Sequence, residues 1–325
     1  MRNQLHGIYA HYIQEYIDFK RGLGFKYKTE ATIFALFDRF TVKRIEKKVG
    51  ITQDLAEAWS GLNPNESSSY KYHRCVCLNQ LASYLCKIGI PSYVLQLPPN
   101  KSVFTPYVFS KDEVHRVFAA CDGIVGKKRR MDGAIIILPA LIRLLYATGL
   151  RISEALSLKA KDVNTDDHYL VVRDSKNGKE RMIPISLSLS AVLKEYYRQK
   201  MQLPLSGSVS LNFFITLAGR SCTSDHVRKW FTKILQNAGI SKSDTGPRLH
   251  DLRHTFSVHA LAMMAESGID LYCSLPILST YLGHQSLEAT NAYVRLTAEM
   301  YPELLKDVDF ASLNVFPTPP NYAAY

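Results

Sequence analysis

The stretch HDLRHTF, residues 250–256, sets a histidine and an arginine three positions apart, with a second histidine beside the arginine. Residues three apart are neighbours on one face of a helix, so His250 and Arg253 project together. Two side chains that can both be cationic repel unless an anion lies between them. Three further segments carry groups that could serve the same anion. ATGLRISEAL (147–156) supplies Arg151, with Glu154 three residues on. DSKNGKER (174–181) supplies Lys176 and Lys179, and YLGHQSLEATNAYV (281–294) supplies His284 and Tyr293. Singly, each has an ordinary reading: a surface arginine paired with a glutamate, a turn lysine, one core tyrosine among 19. Together they suit a phosphodiester entering a five-coordinate transition state. Arg151 and Arg253 can grip its non-bridging oxygens bidentately, His284 can donate one more hydrogen bond, and the developing charge is met electrostatically.

The elements that must hold these groups are mostly helical. YAHYIQEYIDFKRGLGF (9–25), EATIFALFDRFTVKRIEKKVG (30–50), TQDLAEAWSGL (52–62) and SSSYKYHRCVCLNQLASYLCKIGI (67–90) predict four helices, the third opened by Thr52 as N-cap. Short connections make them a small bundle. LQLPPNKSVFTPYVFS (95–110), with three prolines, reads as a linker. This divides the chain into a bundle at 1–96, a linker at 97–109, a second domain at 110–310 and a tail at 311–325. Ser110 and Glu113 predict a capping box at the start of the second domain. The run from Ala134 to Leu150 is a buried helix, shorter than the roughly 20 residues a bilayer requires. HYLVVRDS (168–175) and ERMIPIS (180–186) predict two strands around an Asn177-Gly178 turn, and FFITLAG (213–219) a third. TSDHVRKWFTKILQNAGI (223–240) predicts an amphipathic helix, and another runs around TAEMYPELLKD (297–307). The class is mainly α with a small antiparallel β-sheet.

Forty Lys and Arg against 29 Asp and Glu give a net charge of +11, which suits a nucleic acid or an acidic membrane surface. The basic residues cluster at Lys20, Arg21, Lys26 and Lys28, at Lys43 and Arg44, at KKRR (127–130), and at Arg228 and Lys229. The amino terminus lacks the apolar core of a signal peptide. Six cysteines without CxxC spacing are expected as reduced thiols of a cytoplasmic protein.

The order R…K…HxxR…GH…Y, with TGLRISEAL, HDLRHTF and a tyrosine nine residues after LGH, resembles the tyrosine recombinases of the phage-integrase superfamily across the second domain. The amino-terminal bundle is similar, less specifically, to that family's SAM-like core-binding domain. The resemblance implies a catalytic set of Arg151, Lys176, His250, Arg253, His284 and Tyr293. Tyr293 would attack the scissile phosphate and form a 3′-phosphotyrosyl bond, which a 5′-hydroxyl of a partner duplex then reverses. A phenol is a weak nucleophile until it loses its proton, which makes His250 the candidate acid/base. Lys176, on a hairpin, is the candidate proton donor to the leaving alkoxide. Glu154 and Asp251 are expected to hold the arginine or histidine side chains. His254 is expected to point off the catalytic face, Lys179 to contact a DNA phosphate, and Tyr281 to be a core residue.

No metal or other cofactor is implied. The partners implied are double-stranded DNA carrying a specific site, three further copies of the chain on two duplexes, and an accessory recombinase or DNA-bending protein; no membrane. The two domains would close on the duplex from opposite sides, and the tail would dock on the next protomer. The segment between Arg253 and Gly283 is longer than in compact Xer-type recombinases, and LPILSTYLGH and FKRGLGFKYKTEAT resemble integrases of transposons. A mobile-element integrase acting on bacterial DNA is the resulting expectation. Its rivals are a type IB topoisomerase-like enzyme and a non-catalytic DNA-binding regulator. The dedicated bundle argues against the first, the intact catalytic set against the second.

Overall fold

The computed structural model describes residues 4–63, 65–98, 105–124, 132–173, 180–203, 205, 209–241, 246–284 and 288–301. The chain splits into two compact units, Met1–Phe104 and Thr105–Tyr325.

The first unit holds α1 (Ala10–Gly22), α2 (Lys28–Lys43), α3 (Gln53–Ser60) and α4 (Ser68–Lys87). Thr52 accepts a hydrogen bond from the Leu55 amide and Ser67 from that of Tyr70, satisfying amides that open each helix. α2 stops well before Gly50, because Ile45 takes a left-handed conformation (φ 58°) with its side chain exposed. At the centre, fully buried Trp59 meets Phe37 and Phe40. Arg74 lies beneath it, 4.6 Å from the Trp59 ring, paired with Glu66 and donating to the Trp59 carbonyl.

The second unit runs α5 (Lys111–Asp122), α6 (Asp132–Thr148), α7 (Ile152–Ser157), β1 (Val163–Asn164), β2 (Tyr169–Val172), β3 (Arg181–Pro184), α8 (Leu187–Met201), α9 (Ser224–Asn237), α10 (Asp251–Glu266), α11 (Leu271–Leu282) and α12 (Glu288–Met300). The expected capping box forms between Ser110 and Glu113. α6, almost wholly apolar, packs against α5, α8 and α10. The sheet is antiparallel in the order β1-β2-β3, and its register sets Leu170 opposite Ile183 and Val172 opposite Arg181. The turn with Asn177 and Gly178 lies outside the described residues, as do the tail and the end of the helix expected over 297–307.

Residues 213–219 do not form the third strand that their composition predicts. Ile215 makes one isolated bridge to Ser221. Phe213 and Phe214 are apolar because they pack on Tyr196 of α8, with ring centroids 5.2 and 4.9 Å away. The third strand is β1 instead, two residues long and too short to announce itself.

Candidate active site

The site begins where α6 turns into α7. Gly149 has φ +59°, and a Cβ there would lie 2.5 Å from Phe256 and 2.9 Å from Leu282, so only glycine fits. The turn sets Arg151 at the N-cap of α7, where its amide donates to Glu154 Oε2 at 3.0 Å and its Nη1 to Oε1 at 2.9 Å. Glu154 also accepts from both Nη atoms of Arg181, at 3.0 and 3.3 Å. Burial alone would raise this carboxyl, but Arg181 and Arg151 more than offset it and hold the group below the usual carboxylate range. Glu154 thus holds an arginine, as expected, and a second one that sequence reasoning missed.

That second arginine joins three elements. From the start of β3, Arg181 Nε donates to the Tyr281 carbonyl at the end of α11 at 3.0 Å, while its Nη atoms reach Glu154 on α7. Gly283, at φ +66°, leaves room for it; a Cβ there would come within 2.9 Å of Arg181 Nη1. The Gly-His step before Tyr293 is therefore shaped by an arginine a hundred residues earlier.

Arg253, in the first turn of α10 and 3% exposed, donates to the Gly149 carbonyl at 2.6 Å and the Leu282 carbonyl at 3.0 Å. Its Nη2 also lies 2.8 Å from His284 Nε2. Among the described residues it has no carboxylate partner. Burial, then neighbouring Arg151, pushes it down to about 10, which leaves it cationic at neutral pH. His284 is lowered to about 4, by burial first and then by Arg253, Arg151 and Arg181. A neutral His284 accepts from Arg253 at Nε2 and faces Thr290 Oγ1 at 2.7 Å with Nδ1. In this arrangement His284 Nε2 is an acceptor that steadies Arg253. Three guanidinium groups and one carboxylate share this pocket, so its net charge seeks an anion.

Tyr293, on α12 and 5% exposed, lies against the pocket with its ring stacked on His284, centroids 6.2 Å apart and planes at 17°. Its Oη sits 3.0 Å from His254 Nδ1. The expectation that His254 points off the site is wrong. α12 packs on α10, so a second face of α10 looks at the phenol while Arg253 looks at the pocket. His250 meets the edge of the His254 ring, centroids 4.9 Å apart and planes at 85°. His250 is exposed by area yet has protein beneath its ring. Desolvation, then Arg253, lowers it below the usual imidazole range.

Asp251 is fully buried but does not hold His250 or Arg253. It accepts from the Arg248 amide at 2.6 Å and lies 3.5 Å from Arg248 Nη2. Side chains lean toward the N-terminus of their helix, so Asp251 fastens the loop leading into α10. Tyr281 donates to the Pro184 carbonyl at 3.2 Å, in keeping with a packing role. Lys176 and Lys179 lie outside the described residues.

The other candidate phosphate contacts within the described residues lie at the surface of the two units. Lys20 is half-buried over the rings of Tyr16 and Phe25, and Arg21, Lys26, Lys28 and Lys43 are exposed. Arg44 is engaged by Asp54 at 2.6 Å and Glu46 at 3.0 Å. On α9, Lys229 is exposed and Arg228 pairs with Asp225 at 2.9 Å. Arg228 also lines a cleft of about 370 Å³ with Thr232, Arg248 and His250, beside the arginine pocket. Among the described residues there is no group of His, Cys, Asp and Glu that could hold a metal, and no helix long and apolar enough to cross a membrane.

A helical unit with a small antiparallel sheet, carrying an arginine pocket beside a tyrosine, defines the class, and the chain belongs to the phage integrase family, which matches residues 108–300. It is a tyrosine recombinase, a site-specific enzyme that cleaves and rejoins DNA strands. The candidate integrase/recombinase y4rB of Sinorhizobium fredii is 30% identical over 304 residues, covering 91% of this chain and 96% of its own. Two solved structures share the fold. The Tn1549 transposon integrase in complex with circular intermediate DNA has a TM-score of 0.64 at 16% identity, over 87% of this chain and 94% of that one. A lambda integrase tetramer bound to a Holliday junction has a TM-score of 0.61 at 17% identity, over 87% and 76%.

Proposed function

We propose that Arg151, Lys176, His250, Arg253, His284 and Tyr293 form the catalytic set of a mobile-element integrase. Arg151 and Arg253 bind the non-bridging oxygens of the scissile phosphate, whose negative charge grows in the transition state. His284 and Arg181 hold those guanidiniums in place, Arg181 acting through Glu154. Tyr293 attacks phosphorus as His250 takes its phenolic proton, and the P–O5′ bond breaks as Lys176 protonates the departing oxygen. The product is a 3′-phosphotyrosyl ester and a free 5′-hydroxyl. Attack by a 5′-hydroxyl of a second duplex reverses the step, so one ester replaces another throughout.

The observation that carries this reading is Arg253, a buried guanidinium without a carboxylate partner among the described residues, beside Arg151 and within reach of the helix bearing Tyr293. A buried charge needs compensation, and a DNA phosphate supplies it. Exchange between two duplexes requires four such sites, and the tetrameric lambda integrase of the same fold supports four protomers here. The likeness to the Tn1549 integrase supports a mobile element as the source of the DNA. The basic residues Lys20, Arg21, Lys26, Lys28, Lys43, Arg44, Lys179, Arg228 and Lys229 are proposed phosphate contacts, Arg44 the weakest of them because two carboxylates hold it.

The test uses nicked duplexes spanning the ends of the element that carries the gene. The nick lets the 5′ fragment diffuse away and traps the covalent complex. On a denaturing gel the wild-type protein yields a DNA-linked band and Tyr293→Phe yields none while still binding the duplex. A band that persists in Tyr293→Phe overturns the assignment.

A further inference from the structure

We propose that His254 is a positioning residue for strand cleavage: it accepts the hydrogen bond of the Tyr293 phenol and so turns a lone pair of that oxygen toward the phosphate held by the arginines. The inference rests on Tyr293 as the nucleophile. The family pattern directs attention to the first histidine of HDLRHTF, yet the ring nitrogen beside the phenol, 3.0 Å from Oη, belongs to the second.

Two rings define the phenol between them. His284 stacks on the Tyr293 ring at 17° and sets its plane, which leaves rotation of the O–H as the remaining freedom. His254 removes that freedom, and the His250 ring, its centroid 4.9 Å away and nearly perpendicular, supports it from behind. Because Tyr293 is 5% exposed, protein rather than bulk water must set the direction of its proton. The chemistry of the pair fits this role. Burial first, then His250 and Arg253, lowers His254 to about 3, so it is neutral near pH 7 and keeps an acceptor nitrogen. So weak a base is a poor final sink for a phenolic proton, and orientation is what it can supply.

The test compares His254→Asn with His254→Leu in the full-length protein. The two side chains have nearly the same size, but only asparagine offers an acceptor near the position of Nδ1. Single-turnover cleavage of the nicked duplex is measured alongside DNA affinity and thermal melting. Loss of orientation costs on the order of 100-fold, so His254→Leu should cleave about 100-fold more slowly than wild type with unchanged DNA affinity and melting. His254→Asn should recover to within about tenfold of wild type on the same argument. A substrate with sulfur replacing the bridging 5′ oxygen needs no proton on its leaving group, and it should leave the His254→Leu defect in place because that defect lies on the nucleophile side. Equal rates for the two variants, a His254→Leu loss matched by lost DNA affinity or stability, or full rescue by the 5′-sulfur substrate would each overturn the proposal. Failure of the underlying reading looks different: a covalent band from Tyr293→Phe.

Discussion

Each unit buries an arginine almost completely, and the two are treated in opposite ways. Arg74 in the first unit, 2% exposed, is paired with Glu66 and capped by the Trp59 ring and carbonyl. Arg253 in the second, 3% exposed, meets two backbone carbonyls and a neutral imidazole, with Arg151 and Arg181 nearby and one carboxylate, Glu154, already shared by those two. A buried ion pair with every donor satisfied is a fastening, and breaking it strands a charge. A buried guanidinium without a counter-ion costs stability and is useful only when an anion arrives. The comparison separates a charge that serves the fold from one that serves the reaction.

Substituting the two arginines sharpens that contrast most. Arg74→Met leaves Glu66 charged and unpaired in the core, and should destabilise the first unit by about 3–5 kcal/mol, read from urea melts. Arg253→Met should leave stability within about 1 kcal/mol of wild type, or raise it, since it removes an uncompensated charge. Its single-turnover cleavage should fall about 10²- to 10³-fold, as for loss of one donor to a developing oxyanion. If Arg253→Met unfolds the protein as Arg74→Met does, the distinction fails.

Glu154→Gln comes next. It keeps the shape but removes the charge that Arg151 and Arg181 share, so cleavage should fall about tenfold or more through misplaced Arg151, with some loss of stability. An unchanged rate would mean that Glu154 does not position Arg151.

A smaller effect comes from pH. His254 and His284 are lowered to about 3 and about 4, well below an unfolded histidine near 6.5. Between those limits the unfolded chain binds protons that the folded site refuses. Their contribution is therefore fully present above about pH 6.5 and is lost as pH falls toward 4. Calorimetry should show a melting temperature that drops across this window, with a smaller drop in His254→Asn. The smallest effect is expected on α9: Lys229→Ala should weaken DNA binding about uniformly across sequences and reduce the salt slope by about one.

How much of this was legible depends on the range over which each feature is decided. The caps at Thr52 and Ser110 were readable because partners three residues apart settle them. Arg151, His250, Arg253, His284 and Tyr293 were readable as residue types at the right spacing, and the pairing of Arg151 with Glu154 lies within one turn. Arg181 was not, since its role arises only where β3 meets the ends of α7 and α11. His254 was misread because its direction matters only once α12 packs against α10. Asp251 was misread for a related reason, its partner being a loop that leads into the helix. Phe213 and Phe214 show the limit for β structure, as apolar aromatics beside a strand-like run can serve the core of a loop.

The residue to which DNA becomes attached tests the site most directly. The covalent complex from a nicked duplex can be digested with a protease and a nuclease, and the nucleotide-bearing peptide sequenced by mass spectrometry. A nucleotide on Tyr293, absent when Arg253 is replaced by Met under the same single-turnover time, is the predicted result. A nucleotide on Tyr281 or any other residue would contradict the site described here.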